Sequence, residues 1–369
     1  MSKNKKICCF FNYPSHYRKS IYAEMGKELN CAFIFGDEVP TIKEFDCSIL
    51  NNVKRVHYRH LFKRVVWVSE VIKTMISQYN TYIVTPATNS LTHWLLLLLT
   101  KIIPGKKIFF WTHGYYGNES PRQRFFKRRM FLNADGLFLY GDYSKELMLR
   151  DGFDAKKLHV IHNSLNYEEH IKLRDTTSTS KIYQEHFNND HATIVVIGRV
   201  NKRKKLDILV DAVHLLHKEH FHVNVMIIGE GEALQSLKQE TIQSGIDKYF
   251  WFYGACYDER KNAELIYNAD LCVVPGDIGL TAIHAMTFGV PVISHDYFPT
   301  QGPEFEVIVP GVSGDFFVHD DTRSLCETIK KWFITNADKR NEVRQQCYNV
   351  IDEGWNPNYQ MEILKRILV

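Results

Sequence analysis

The sequence holds no apolar run long enough to cross a bilayer. Its longest, Trp94–Leu99 with Ile102 and Ile103 beyond, is cut by Thr100 and Lys101, well short of the ~20 residues a spanning helix needs. No secretory leader is expected either, because Met1–Lys6 leads into only five apolar residues before Asn12, and a cytoplasmic location is the expectation. None of the eight cysteines (Cys8, Cys9, Cys31, Cys47, Cys256, Cys272, Cys326, Cys347) sits in a CxxC pair or at metal-ligand spacing. Reduced, packed thiols and no metal are the expectation. Excess charge of one sign is scarce too: 46 Lys and Arg against 42 Asp and Glu leave +4, too little to suggest a nucleic-acid binder. No phosphate-binding GxxxxGK[ST] loop, HExxH helix or GxSxG elbow occurs. Nucleotide hydrolysis, zinc proteolysis and serine hydrolysis therefore have no basis here.

What is present alternates. Short apolar runs without period-2 polarity, such as Ile7–Phe11, Cys31–Phe35, Thr81–Thr85, Lys107–Trp111, Gly136–Tyr140 and Leu158–His162, read as strands of a parallel sheet buried on both faces. Amphipathic stretches of helical period lie between them, among them His16–Leu29, Trp67–Tyr79 and Tyr143–Asp151. The rhythm stops between about Tyr167 and His191, where Thr176-Thr177-Ser178-Thr179-Ser180 reads as linker and irregular structure. It resumes with Thr193–Ile197, Asn224–Ile228, Phe250–Tyr253, Leu271–Val274 and Val290–Ser294. Together with a length of 369 residues, this predicts two doubly wound α/β domains, 1–167 and 168–350. A short helix within 351–369 follows, free to pack back on the first. Ligands of such sheets collect outside the carboxyl ends of the strands, so the site is sought in a cleft that the two domains face.

Four of those loops carry unusual chemistry. Gly198-Arg199-Val200-Asn201-Lys202-Arg203-Lys204-Lys205 crowds five cations after a strand, which suits a diphosphate, with Arg199 and Lys204 the candidates. A solvated basic loop is the alternative. Pro275-Gly276-Asp277-Ile278-Gly279-Leu280 joins a strand to a helix that carries His284, and glycine there lets a ligand near the backbone. Trp111-Thr112-His113-Gly114 puts a histidine at a strand's end, as either a cleft residue or a packed one. Asn12-Tyr13-Pro14-Ser15-His16-Tyr17-Arg18 is polar and aromatic, suited to a hydroxylated ligand or to an ordinary surface. Arg122–Arg129 sets five cations around Phe125 and Phe126, which fits an anionic membrane surface or a solvated helix face.

The C-terminal half resembles the retaining, nucleotide-sugar-dependent glycosyltransferases of family 4 with the GT-B fold. The resemblance runs in order through Val160–Asn166, Gly198-Arg199 with Lys204, Ile227–Gly231, Phe252-Tyr253-Gly254, Asn268–Pro275, Ala285-Met286 with Gly289–Ile293, and Gly311–Gly314. In the N-terminal half only His113-Gly114 and Asn133-Ala134-Asp135-Gly136 match. The resemblance implies two Rossmann-like domains and a UDP- or GDP-sugar donor substrate, with no tightly bound cofactor. It implies a hydroxyl acceptor on a glycan or lipid-linked glycan. Arg199 and Lys204 would stabilise the leaving diphosphate, Tyr253 and Gly254 would meet the base, and His113 would lie by the transferred sugar. Gly276, Asp277, Gly279 and Leu280 would line the donor turn.

The chain departs from the family where paired glutamates are usual, eight positions apart: Gly276 and His284 stand there. His284 can still reach ribose hydroxyls. Lys205 replaces the family's glycine after the loop lysine. A sugar-nucleotide-binding partner subunit without catalysis and a GT-B sugar epimerase are the competing readings.

Overall fold

All five residues of Ile7–Phe11 are apolar and buried, as in a parallel strand covered on both faces. Cys8 and Phe10 enter one hydrophobic cluster, while Ile7, Cys9 and Phe11 enter another on the opposite face. The computed structural model describes residues 6–36, 43–61 and 65–369; Met1–Lys5 of the leader reading lie outside them.

The first strands, in chain order, are β1 (Ile7–Phe11), β2 (Ala32–Phe35), β3 (Val53–Arg55), β4 (Arg59–Leu61), β5 (Val65–Trp67), β6 (Thr81–Val84), β7 (Lys107–Thr112), β8 (Gly136–Leu139) and β9 (Leu158–Val160). Apart from the antiparallel β4–β5 ribbon they form one parallel sheet, ordered β3-β2-β1-β6-β7-β8-β9. The second group is β10 (Ala192–Ile197), β11 (Val223–Ile228), β12 (Phe250–Gly254), β13 (Leu271–Val273), β14 (Val292–His295) and β15 (Gly314–Phe317). It forms a parallel sheet ordered β12-β11-β10-β13-β14-β15. Each order runs outward from its first strand one way and then the other. That reversal creates a switch point beside β1 and β6 in one sheet, and beside β10 and β13 in the other. The fold is the doubly wound α/β architecture the sequence predicts.

Two compact units result, Tyr167–Trp355 and the remainder, with Asn356–Val369 belonging to the first. The helix Pro357–Leu368 inserts Met361, Ile363, Leu364 and Leu368 into the first unit's core. The family-like stretch Val160–Asn166 meets it there: Ser164 Oγ donates to Gln360 Oε1 at 2.7 Å, and Gln360 Nε2 donates to the His162 carbonyl at 2.9 Å.

The linker reading of 167–191 is corrected. Tyr167–Thr176 and Ile182–Phe187 are helices. Polar and aromatic groups dock them: Arg174 pairs with Asp352 at 3.1 Å, and Tyr183 Oη donates to the Leu265 carbonyl at 2.6 Å.

Candidate active site

Two loops build the switch point of the second sheet. Residues 198–205 leave β10, and residues 274–280 leave β13 and lead into the helix Thr281–Thr287. Lys204 ties them together, its Nζ donating to the carbonyls of Asp277 and Ile278 at 2.7 and 2.8 Å. The main chains reinforce the joint, with Gly276 N donating to the Lys204 carbonyl at 2.9 Å and Asp277 N to that of Arg203 at 3.0 Å. Burial pulls the Lys204 ammonium below the usual lysine value, against the opposing pull of Asp277. Asp277 pairs with Arg203 at 2.5 Å and accepts from Gly302 N at 2.9 Å. Gln301 completes the support, accepting from Ile278 N at 2.9 Å and donating to Ser294 Oγ at 2.8 Å.

Of the residues singled out in the sequence, Lys204, Gly276, Asp277, Gly279 and Leu280 thus share one rigid turn, and Arg199 stands exposed on the adjoining loop. The expectation that Gly276 opens the backbone to a ligand is corrected. A Cβ there would lie 2.0 Å from the Arg203 carbonyl oxygen, so the missing side chain makes room for the neighbouring loop. Gly279 is the glycine that faces open space: its φ is +52°, and nothing lies within 4 Å of where a Cβ would stand. Lys205 adopts φ +48°, a left-handed conformation that costs a non-glycine residue about 1–2 kcal/mol. This explains the family's glycine at that place. Its ammonium is held by Asp320 and by His319 Nε2, the latter at 3.1 Å.

Tyr253 and Gly254 end β12, two strands from β10, and the Gly254 carbonyl accepts from Gly229 N at 2.8 Å. His284 lies one turn into its helix. Its Nε2 sits 3.2 Å from Glu259 Oε2, and its ring stacks on His170 at 5.2 Å between centroids. Glu259 and His170 carry no signal in the sequence, since neither lies in a motif. A cavity of about 340 Å³ in this unit adjoins Ala192, Asp270 and Pro291, near the amino ends of β10, β13 and β14. That is the wrong end of a parallel sheet for a substrate.

The first unit presents a different chemistry at its strand ends. His113 follows β7, packed against Tyr116 and Tyr140 with centroids 5.4 and 4.7 Å away. Burial first, then the charges of Arg18 and Lys127, push its imidazole down to about 3, so the ring is neutral near pH 7. Its Nδ1 is buried without a hydrogen-bond partner. Gly114 takes φ +68°, and the hydroxyl of Ser144 occupies the space of a Cβ there while accepting from Tyr115 N at 2.9 Å. Lys127 donates to the Gly114 carbonyl at 2.9 Å and to Glu119 at 2.8 Å. Arg18, from the loop after β1, hydrogen-bonds Tyr140 Oη and lies over the rings of Tyr140 and Trp111, at 5.2 and 5.9 Å. Three of the five cations on the basic helix Pro121–Leu132 share two carboxylates of their own unit: Arg124 and Arg128 pair with Asp151, and Lys127 with Glu119.

The family described as glycosyl transferases group 1 matches residues 178–350. A 41.2 kDa protein of uncharacterized role from the cps region of Klebsiella pneumoniae is 20% identical over 231 residues. That match spans 60% of this chain and 58% of the relative, little more than half its length. Among solved structures, Anabaena Alr3699/HepE in complex with UDP aligns with a TM-score of 0.74 at 14% identity, covering 98% of this chain and 99% of that one. The lipopolysaccharide outer core galactosyltransferase WaaB gives 0.73 at 14% identity over the same shares. A glycosyltransferase from Rickettsia africae gives 0.75 at 14% identity, covering 99% and 98%. Residues 178–350 sit wholly in the second unit, whose switch-point turn carries the family-like residues. Residues 178–350 thus match the family of glycosyl transferases group 1, and the chain has the GT-B fold of those solved glycosyltransferases.

Proposed function

We propose that the protein moves a sugar, with retention, from a nucleoside-diphosphate sugar to a hydroxyl of a surface polysaccharide or lipid-linked glycan. The observation that carries this reading is the Lys204–Asp277 joint at the second unit's switch point, with Arg199 exposed beside it. In the reaction the bond between the sugar carbon and the diphosphate oxygen breaks, and the electron pair leaves on the phosphate. The acceptor oxygen bonds to that carbon, and its proton passes to the departing phosphate oxygen. Arg199 and Lys204 meet the negative charge that develops on the leaving group, without calling on an ion at the diphosphate. Charge stabilisation of this kind supplies most of the rate gain in many enzymes. Lys204 keeps one N–H beyond the two committed to carbonyls. Tyr253 and Gly254 are assigned to the base, and the turn through Asp277, Gly279 and Leu280 to the donor. His113, being neutral, serves as a hydrogen-bonding partner for the sugar and not as a proton shuttle.

Anabaena HepE was solved with UDP, with UDP and glucose, and with UDP-glucose, which favours uridine over guanosine. The WaaB likeness and the Klebsiella relative favour a surface-polysaccharide acceptor. Phe125 and Phe126, 59% and 40% exposed on the basic helix, offer a peripheral contact with an anionic membrane. No helix among the described residues is long and apolar enough to cross one.

One observation favours the partner-subunit reading: neither Gly276 nor His284 offers a carboxylate where the family usually has two. A thermal-shift screen against UDP, GDP, ADP and CMP, followed by nucleotide release from the matching sugars with glycan acceptors, separates the readings. Stabilisation by UDP with acceptor-dependent release supports transfer. Stabilisation with no release from any sugar supports the partner subunit, and no stabilisation by any nucleotide overturns both.

A further inference from the structure

Three helices of the second unit converge on one point. His170 comes from Tyr167–Thr176, Glu259 opens Glu259–Asn268, and His284 lies in Thr281–Thr287. Glu259 Oε2 stands 3.4 Å from His170 Nε2 and 3.2 Å from His284 Nε2, and the three ligand atoms lie within 4.8 Å of one another. Donors around a tetrahedral zinc, at about 2.0–2.2 Å from the metal, sit roughly 3.3–3.5 Å apart. The two measured separations fall close to that spacing.

Hydrogen bonding does not account for the arrangement. Glu259 Oε2 and His284 Nε2 are both buried atoms with no hydrogen-bond partner, although each lies near the other. They stand close without lining up as an N–H···O bond. Such atoms are costly to leave unpaired. The surroundings hold the ligands in place: Glu259 Oε1 accepts from Asn262 Nδ2 at 3.2 Å, and both imidazoles pack on Phe288 at 5.7 Å. His170 is 4% exposed and the Glu259 side chain 32%, yet the ligating Oε2 is itself buried, so the cluster lies just beneath the surface.

We propose that His170 Nε2, Glu259 Oε2 and His284 Nε2 bind one zinc-type divalent cation, with the fourth position open to water or to a ligand oxygen. Two imidazoles and one carboxylate with an open position form a donor set suited to zinc. The ion clamps the helix that begins at Tyr167 to two helices of the sheet layer. It shares no residue with the Lys204 joint, and its binding is read without any sugar donor, so it stands or falls separately from the transferase reading.

The full chain is stripped with a chelator, dialysed and titrated with ZnCl2, with bound metal counted by atomic emission. In parallel, CoCl2 is added and the visible d–d absorption of low-coordinate cobalt is recorded. One zinc per folded chain, a cobalt band and a rise in melting temperature are expected. Glu259→Gln and His170→Gln should weaken zinc by about tenfold or more and abolish the band. His222→Ala, in the separate His217–His222 contact, should change neither. If one variant fails to fold, His284→Gln is read the same way. Folded wild-type protein without a cobalt band, or zinc affinity unchanged in the folded ligand variants, overturns the site.

Discussion

Asp135 in the first unit and Asp270 in the second hold equivalent places. Each ends an Asn-Ala-Asp run just before a strand, and each accepts from a main-chain N–H of a neighbouring strand: Ile108 N at 2.8 Å and Thr193 N at 2.8 Å. At the amino ends of the sheets the two units therefore solve one problem in one way. At the carboxyl ends they differ. The second unit joins its loops through Lys204, Arg203, Asp277 and Gln301, a charged and hydrogen-bonded turn. The first gathers His113, Tyr116, Tyr140, Trp111 and Arg18, a set of rings around one cation. A diphosphate asks for the former and the face of a sugar or glycan for the latter. The shared scaffold thus leaves ligand chemistry to the loops alone.

The largest effects should come from the charged turn. Arg199→Ala is expected to lower turnover about 10²-fold or more with an unchanged melting temperature. Lys204→Ala should lose as much and also melt earlier, because two carbonyls lose their donor. Lys202→Ala should do far less. Equal and mild losses at all three would reduce the turn to a solvated patch and erase the contrast with the first unit.

Next comes His113→Ala, expected to slow transfer roughly ten- to hundredfold while nucleotide affinity, read by calorimetry, stays within about twofold of wild type. Loss of affinity together with stability would make His113 a packing residue. Its titration gives a second handle. The folded value of about 3 lies below the unfolded value of 6.5, so its contribution to stability is complete above that unfolded value and is lost as pH falls towards the folded one. A histidine resonance followed by NMR should show no His113 titration between pH 5 and 8.

The equivalence at the amino ends is tested by Asp135→Ala and Asp270→Ala. Each leaves a buried N–H unpaired, at a cost of about 1–3 kcal/mol by urea denaturation. Asp270→Ala should lie at the higher end because it also releases Arg340, 2.5 Å away. The smallest expected effect is on nucleotide binding in His284→Ala. It should stay below about fivefold, one hydrogen bond's worth, since Nε2 already faces Glu259. A larger loss would return His284 to the ribose.

Buried strands such as Val223–Ile228 are legible in the sequence because an unbroken apolar run of that length between turn signals fits little besides a strand covered on both faces. The helix Tyr167–Thr176 is not, since His170 is its one buried side chain and it docks through Arg174 and Tyr167. With no apolar stripe there is no period to detect. β3, with Lys54 and Arg55 exposed, hides for the same reason. At the site, Lys204 stands out because it lies in a crowded basic run directly after a strand, although its partners Asp277 and Ile278 come from a loop more than 70 residues on. The meeting of His170, Glu259 and His284 is invisible because none of the three is marked by a motif and only the packing of their three helices brings them together. Gly276 misleads for a further reason: sequence shows that a side chain is missing, not which neighbour fills the space.

The placement of the helix Pro357–Leu368 has a consequence for how the protein is made. Its core residues Met361 and Leu364 belong to the first unit, yet the ribosome delivers them only after all of the second. Tyr167 and Asp352, near the two ends of that second unit, are hydrogen-bonded at 2.8 Å. The inserted unit can therefore close on itself during synthesis while the first waits, one helix short, until Pro357–Leu368 has been made.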